Sequence, residues 1–404
     1  MSLREAFLAT KQFPAKVSAF TKQEIASTRE HHLAMMQLEQ VSMTDAIVAG
    51  HLCLDIIPDL SAHAAGQFDS VFQPGKLINV GAAAISTGGA VSNTGLAMHR
   101  LGIDTRLIAK VGSDQLGQVV RQIVISNAPH LADGISASTK TSTSYTVVIN
   151  PPGSDRIFLH NPGANDDFCA DDVRDEDLRD ARLFHFGYPP LMARMFADDG
   201  AQLTEIFRHV KSLGLTTSLD MALPDPNSAA GHANWHMILK NTLPHVDIFL
   251  PSLDEILFML VRNKKVLLST QLLTEVSDEL LAMGAKMIVL KLGEHGLYLR
   301  VASADILQNL GRARPTHPTV WANYENWSPC FQVDVIGTTG AGDATIAGFL
   351  AALLRDLPPV EAMDAALAVG ACNVEAPDAL SGICSWNDTL QRINAGWARR
   401  VNNV

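Results

Sequence analysis

The chain has 404 residues, 47% of them apolar and 18% charged, with a formal net charge of −11 at neutral pH. This length fits one large α/β domain with an accessory piece and a sizeable core, and the acidic balance excludes a general surface for nucleic acid or anionic membrane. No run reaches the ~18 apolar residues of a membrane span, and the N-terminus lacks a compact apolar stretch with a small-residue cleavage site, so a cytoplasmic protein is expected. Its scattered cysteines, Cys53, Cys169, Cys330, Cys372 and Cys384, have no Cys-x-x-Cys spacing and read as reduced thiols.

Residues 1–43 are polar and amphipathic and predict a helical arm, interrupted at Pro14, outside the main domain. A nearly continuous apolar run, Ala46–Ile57, predicts the first buried parallel strand, with Asp55 near its carboxyl end. Ligands of open α/β sheets gather at such ends, so Asp55 either accepts hydroxyl hydrogen bonds from a polyol or is a turn residue before Pro58. Residues 58–85 read as an excursion with extended pieces near Ser70–Phe72 and Lys76–Val80. Gly88 and Gly89 then precede a helix running to Leu101, and their missing side chains allow backbone amides to approach a ligand. Asn93, one turn into that helix, offers a donor and an acceptor together. Taken alone, a tight turn explains this string equally well.

Thr105–Val111 predicts a strand, and Val111-Gly112-Ser113-Asp114-Gln115-Leu116-Gly117 opens a helix with Asp114 in its first turn. Alternation over Thr143–Ile149 and Arg156–His160, around a turn at Pro151 to Asp155, predicts a half-exposed antiparallel hairpin. Asn165 closes this second excursion, reaching a ligand or capping the loop. From Leu183 onward the chain alternates strictly. Strands Leu183–Gly187, Thr216–Asp220, Asp247–Leu250 and Lys286–Lys291 are separated by helices near Gln202–Leu213, Trp235–Leu243, Asp254–Leu260 and Gln271–Met283; Gly296–Val301 follows as a pairing strand. Such units imply an α/β fold of three layers, α/β/α, with a doubly wound, mostly parallel sheet. His232 and His236 stand four apart, without a third metal ligand nearby.

Two strings in this half carry polar groups at strand ends. Ser252 and Glu255, three apart after a strand, have capping-box spacing. Lys291-Leu292-Gly293-Glu294-His295-Gly296 is a glycine turn that a plain hairpin would also explain. Ser303–Pro329 reads as an insertion. Cys330–Ile336 then predicts a short strand leading into Gly337-Thr338-Thr339-Gly340-Ala341-Gly342-Asp343, followed by helical patterns over Ala344–Arg355 and Val360–Val374. The first amides of a helix have no internal partner and carry the positive end of its dipole, so this turn is an anion site by construction. Asp343 has the wrong sign for phosphate binding alone. It is either an ordinary first-turn carboxylate or a base beside a transferring phosphoryl group.

Together these strings resemble the ribokinase-like (PfkB) family of sugar and nucleoside kinases. Thr338–Ala344 is similar to its C-terminal signature and Gly88-Gly89 with Asn93 to its N-terminal one. Val111–Gly117 is similar to its Val-Gly-x-Asp-x-x-Gly motif, Ser252–Glu255 to Asn-x-x-Glu, and Lys291–Gly296 to its nucleotide turn. The resemblance implies an ATP- and Mg2+-dependent carbohydrate kinase acting on a hydroxymethyl group of a small sugar or sugar derivative. A nucleoside kinase and a non-catalytic ligand-binding or regulatory relative are the alternatives, although neither 58–85 nor 139–165 shows the aromatic cluster a base would need. On this resemblance Asp343 is the general base and Gly340, Ala341 and Gly342 form the anion hole. Asp55, Gly88, Gly89, Asn93 and Asn165 meet the substrate; Ser252, Lys291, Gly293, Gly296, Thr338 and Asn373 meet ATP; Glu255 holds magnesium through water. The kinase domain spans 44–390, with a 391–404 tail, and the excursions near 58–85 and 139–163 form a lid whose exposed face makes a homodimer. There are three departures. Ala90 stands where ribokinases carry Lys, lowering ribose as the substrate. Ser252 replaces Asn. Gly337 stands where many relatives have the Asp of a monovalent-cation site, so weak or absent K+ dependence is expected.

Overall fold

In the computed structural model, residues 44–63, 71–153, 156–261 and 267–401 are described. The expected arm at 1–43, Ser70 and the tip of the 151–155 turn lie outside the described residues. Apolar runs become strands β1 (Ala46–Gly50), β2 (Cys53–Ile57), β3 (Ala84–Gly88), β4 (Thr105–Gly112), β5 (Ile135–Ser138), β6 (Tyr145–Ile149) and β7 (Ile157–Asn161). The later half adds β8 (Leu183–Gly187), β9 (Thr216–Leu219), β10 (Ile248–Phe249), β11 (Met287–Lys291), β12 (Leu297–Val301) and β13 (Glu325–Ser328).

Nine of these form one sheet in the order β13-β12-β11-β10-β9-β8-β1-β4-β5. From β11 to β5 all neighbours are parallel, while β12 and β13 run antiparallel at one edge. The unbroken apolar character of the inner strands follows from burial on both faces. Ala46 and Val48 point into one core with the helices Ala90–Arg100, Gln115–Asn127, Ala341–Leu354 and Pro359–Val374. Ile47 and Ala49 point into the other, with Ala201–Ser212, Trp235–Thr242 and Thr270–Ala282. The chain builds outward from β1 through β4 and β5 on one side and from β8 to β11 on the other, so the order reverses between β1 and β8. Their carboxyl ends, Gly50 paired with Gly187, therefore frame the crevice where ligands of such sheets bind.

Several expectations are corrected here. The run Ala46–Ile57 is two strands. A Cβ on Gly50 (φ 121°) would lie 2.4 Å from the Gly187 carbonyl oxygen, and at this glycine the chain turns out of the main sheet. β2 joins a separate four-stranded sheet, β3-β2-β6-β7, so Asp55 hangs from the lid instead of ending a central strand. Lys76–Val80 is not a strand; the lid strand is Ala84–Gly88, running into the glycine pair. Cys330–Ile336 is irregular apart from a bridge between Phe331 and Arg399, because the edge it would join is already covered by β13. The Ser303–Pro329 segment supplies β13 and the buried Trp321. The helix Trp386–Asn394 crosses residue 390, the expected start of the tail, and Trp397 stacks on Phe331 at 4.7 Å. His232 ends one short helix and His236 lies in the next, with Asn234 capping between them.

Candidate active site

The Thr338–Asp343 turn enters the helix Ala341–Leu354 through Gly340, whose left-handed backbone (φ 74°, ψ 5°) reverses the chain. A Cβ there would meet Ala379 Cβ at 2.6 Å, so this position demands glycine twice over. Gly342 differs: a Cβ would find nothing closer than Lys291, Cδ at 3.6 Å and Nζ at 3.7 Å. A methyl there would make only ordinary van der Waals contact, and such room beside an ammonium group and a helix N-terminus suits an anion. Ala341 N–H leans back on the Thr338 carbonyl at 3.3 Å, and Gly342 is the glycine of the trio where a Cβ would clash with nothing. Thr338 is exposed at the rim.

Asp343 follows and is 3% exposed. Its Oδ2 accepts from Asn93 Nδ2 at 3.1 Å and from the Tyr188 hydroxyl at 2.7 Å, and its Oδ1 accepts from the Thr94 hydroxyl at 3.0 Å. Burial pushes the carboxyl up from its ordinary range, while the Tyr188 bond, the Lys291 charge and the Asn93 and Thr94 bonds pull it back. Asn93 Oδ1 is buried and has no partner; an orphan acceptor at the mouth of a cleft is suited to a ligand hydroxyl.

The lid completes the other wall. Asp55 pairs across β2 and β3 with Ser86, and a Cβ on Gly88 would fall 2.2 Å from Asp55 Oδ2. Gly88 therefore makes room for that carboxylate, which burial pushes upward. Gly89 (φ 89°) makes room for His51 in the same way, its Cβ position lying 2.5 Å from Nδ1. The His51 ring is buried without a partner on either nitrogen; burial lowers its pKa to about 3, so it is a neutral imidazole. It lies between His160 (centroids 5.4 Å apart) and Tyr188 (6.3 Å). Between the walls runs a cleft of about 880 Å³ lined by His51, Asp55, Asn93, Tyr188 and, at its far side, Thr339. Arg156 of the lid reaches across and donates to Thr339 Oγ1 at 2.5 Å. Asn165 is not at the cleft: its amide exchanges both bonds with the backbone of Leu52, at 3.2 and 3.0 Å, and so pins the β1–β2 joint.

Across from this wall, Lys291 Nζ contacts Asp220 Oδ1 at 2.5 Å, the aspartate buried and the lysine side chain 12% exposed. Burial lifts the Asp220 carboxyl, against the pull of Lys291 and with Glu255 and Asp343 adding to the rise. At Lys291 burial pulls the pKa down, and the carboxylates of Asp220, Glu255 and Asp343 outweigh it and raise the ammonium above its ordinary value. Ser252 and Glu255 cap each other: Ser252 N–H donates to Glu255 Oε2 at 2.6 Å and Glu255 N–H to Ser252 Oγ at 3.2 Å. Gly293 is exposed in the turn, whereas Gly296 is fixed by packing, its Cβ position 2.0 Å from the Ser328 carbonyl oxygen. Asn373 is buried and donates to the Ala379 carbonyl at 2.8 Å, holding the loop beside Gly340, with its Oδ1 unpartnered.

Sequence reasoning missed Tyr188, His51 and Arg156. Each acts across long sequence distances and belongs to no recognised string; Tyr188 had one local signal, the Pro189-Pro190 pair that follows it.

A sequence model of the pfkB family carbohydrate kinases matches residues 43–385. A probable fructokinase-4 of Arabidopsis thaliana is 24% identical over 77% of this chain and 83% of its own length. A 2-dehydro-3-deoxygluconokinase of Bacillus subtilis is 23% identical over 73% of this chain and 82% of its own. Among solved structures, Arabidopsis thaliana ribokinase complexed with ribose and ATP superposes with a TM-score of 0.65 at 17% identity, covering 86% of this chain and 98% of that one.

Proposed function

The chain belongs to the pfkB family of carbohydrate kinases and is a phosphotransferase, and from that premise we propose that it transfers the terminal phosphoryl group of ATP to a hydroxymethyl group of a small sugar or sugar derivative. The observation that carries this reading is Asp343: a buried carboxylate held only by neutral donors, next to Gly342, where a Cβ would clash with nothing, and to the Lys291 ammonium. The acceptor lies between Asp55, the Gly88-Gly89 turn, Asn93 and Asp343. Its oxygen attacks the terminal phosphorus, its proton passes to Asp343, and the bond from that phosphorus to the bridging oxygen breaks to release ADP. The helix-start amides and Lys291 stabilise the charge on the equatorial oxygens. The lid, with Arg156 against Thr339, excludes the water that would otherwise hydrolyse ATP.

Among the described residues no group of three or more His, Cys, Asp or Glu side chains converges on a metal position, and one Glu255 oxygen is engaged by Ser252. Magnesium brought with ATP would be held by Glu255 through water and would supply positive charge to the phosphates. Gly337 offers no carboxylate for a monovalent cation. On the outer face of the lid, Ile85 (55% exposed) and Leu159 (54%) support a homodimer formed through that sheet, and light scattering of Leu159→Glu, expected monomeric, tests it. Five free cysteines support a cytoplasmic location.

A nucleoside acceptor is the second reading, favoured by the His160, His51 and Tyr188 rings lining the cleft. ADP release over pentoses, hexoses, sugar acids and nucleosides decides between them: a sugar is expected to give the highest kcat/KM. Silence across the panel, with ligand-induced thermal stabilisation retained, would instead support a non-catalytic binding protein.

A further inference from the structure

Tyr188 directly follows β8 and has φ 66°, ψ 43°, the left-handed region, which aromatic residues seldom adopt. It also precedes Pro189, and a residue before proline is pushed toward extended backbone. Strain of this kind persists where the surroundings enforce it and collects at functional sites. Its outcome here is specific. The ring lies against His51, and the hydroxyl reaches Asp343 Oδ2 at 2.7 Å, the shortest of the three bonds to that carboxylate.

A carboxylate has about four acceptor positions, two on each oxygen. Oδ2 is filled by Asn93 and Tyr188, and Oδ1 holds only Thr94. We propose that Tyr188 is a positioning residue for phosphoryl transfer: by closing Oδ2 it fixes the Asp343 carboxylate and leaves Oδ1 as the oxygen that takes the acceptor's proton. This rests on the reading of Asp343 as the base.

The electrostatic surroundings fit that role. The charged groups acting with Asp343 are Lys291 from β11 and Asp220 after β9, while Glu255 after β10 acts on Tyr188, Asp220 and Lys291; Tyr188, Asn93 and Thr94 face Asp343 as neutral donors, with the neutral His51 beside Tyr188. Burial and the Asp343 charge push the Tyr188 phenol well above its ordinary value, so it keeps its proton across the working range and remains a donor throughout. Without that bond the remaining partners leave burial less opposed, and Asp343 would accept a proton from water at higher pH.

The test is Tyr188→Phe in the full chain, assayed with the panel acceptor of highest kcat/KM and alongside Asp343→Asn. The expected result is a fall in kcat of roughly tenfold to hundredfold, the worth of one hydrogen bond to a charged group, together with movement of the acid limb of kcat/KM to higher pH. Should Tyr188→Phe fail to fold, site-specific fluorotyrosine at 188 keeps the ring's shape, and a more acidic phenol should move the acid limb to lower pH. An inactive Asp343→Asn with an unmoved limb in the folded Tyr188 variants would show that Tyr188 merely packs, and the proposal falls. An active Asp343→Asn would remove the base reading itself, and the proposal with it.

Discussion

Two buried aspartates at opposite edges of the main sheet show how one side chain is put to different uses. At the amino edge, Asp247 is fully buried ahead of β10 and meets the ammonium groups of Lys211 and Lys286, both at 2.5 Å, with the Thr217 amide at 3.0 Å. At the carboxyl edge, Asp343 is almost as buried yet touches only neutral donors, and the nearby ammonium of Lys291 is bonded to Asp220. A carboxylate matched by two cations is a structural tie with nothing left to give. One held by neutral donors keeps its charge where a proton can reach it.

Exchanging the two carboxylates for amides sharpens the contrast most. Asp343→Asn should lower kcat by roughly 10²–10⁴, the usual worth of a general base, while ATP affinity by calorimetry stays near wild type. Asp247→Asn should do the reverse: it leaves two half-buried ammonium groups with the Asn309 carbonyl as their remaining partner and costs up to about 3–5 kcal/mol in denaturant unfolding, with kcat per folded molecule retained. Loss of activity in the second variant beyond its unfolded fraction would break the division between the edges.

Two glycines of the anion turn give the next largest effects. Gly342→Ala places a methyl in ordinary van der Waals contact with Lys291; the fold should survive, and KM for ATP should rise several-fold as the methyl narrows the phosphate position proposed there. Gly340→Ala forces a left-handed residue against Ala379 and should lower thermal stability by about 1 kcal/mol or more. Equal stability losses in both would mean that the space over Gly342 is not a ligand site.

Histidines link the edges to pH. His51 and His185 are buried and neutral, their pKa values lowered by burial to about 3. The unfolded chain therefore binds protons that the folded one refuses, and stability is lost as pH falls from about 6.5 toward 3. Between pH 7 and 5 each should cost about 2 kcal/mol. Unfolding of His51→Gln should show a flatter pH slope, and an unchanged slope would mean that its ring is already solvated. The smallest expected effect is that of the monovalent cation: replacing a bulky organic cation with K+ should leave the rate nearly unchanged, and a strong rise would contradict the reading of Gly337.

The parallel core was legible because buried strands are apolar throughout, and Leu183–Gly187 is recovered with its expected bounds. The glycine strings were legible because backbone conformation at Gly89 and Gly340 excludes other residues. The lid was harder to read. Ala46–Ile57 is apolar in both sheets it visits, so no periodicity marks the departure at Gly50, and Asp55 was placed on the wrong sheet. Asn165 looked like a ligand group because its partner, the Leu52 backbone, is 113 residues away. Tyr188 reaches Asp343 across 155 residues, and no local pattern encodes a contact of that kind.

The most direct test is a crystal structure of the full chain with the best panel acceptor and a non-hydrolysable ATP analogue. A hydroxymethyl oxygen within about 3 Å of Asp343 Oδ1, the reach of a general base, with the terminal phosphate over Gly342, is the predicted arrangement. An acceptor bound with its hydroxymethyl group turned away from Asp343, or a phosphate seated elsewhere along the sheet edge, would contradict the account.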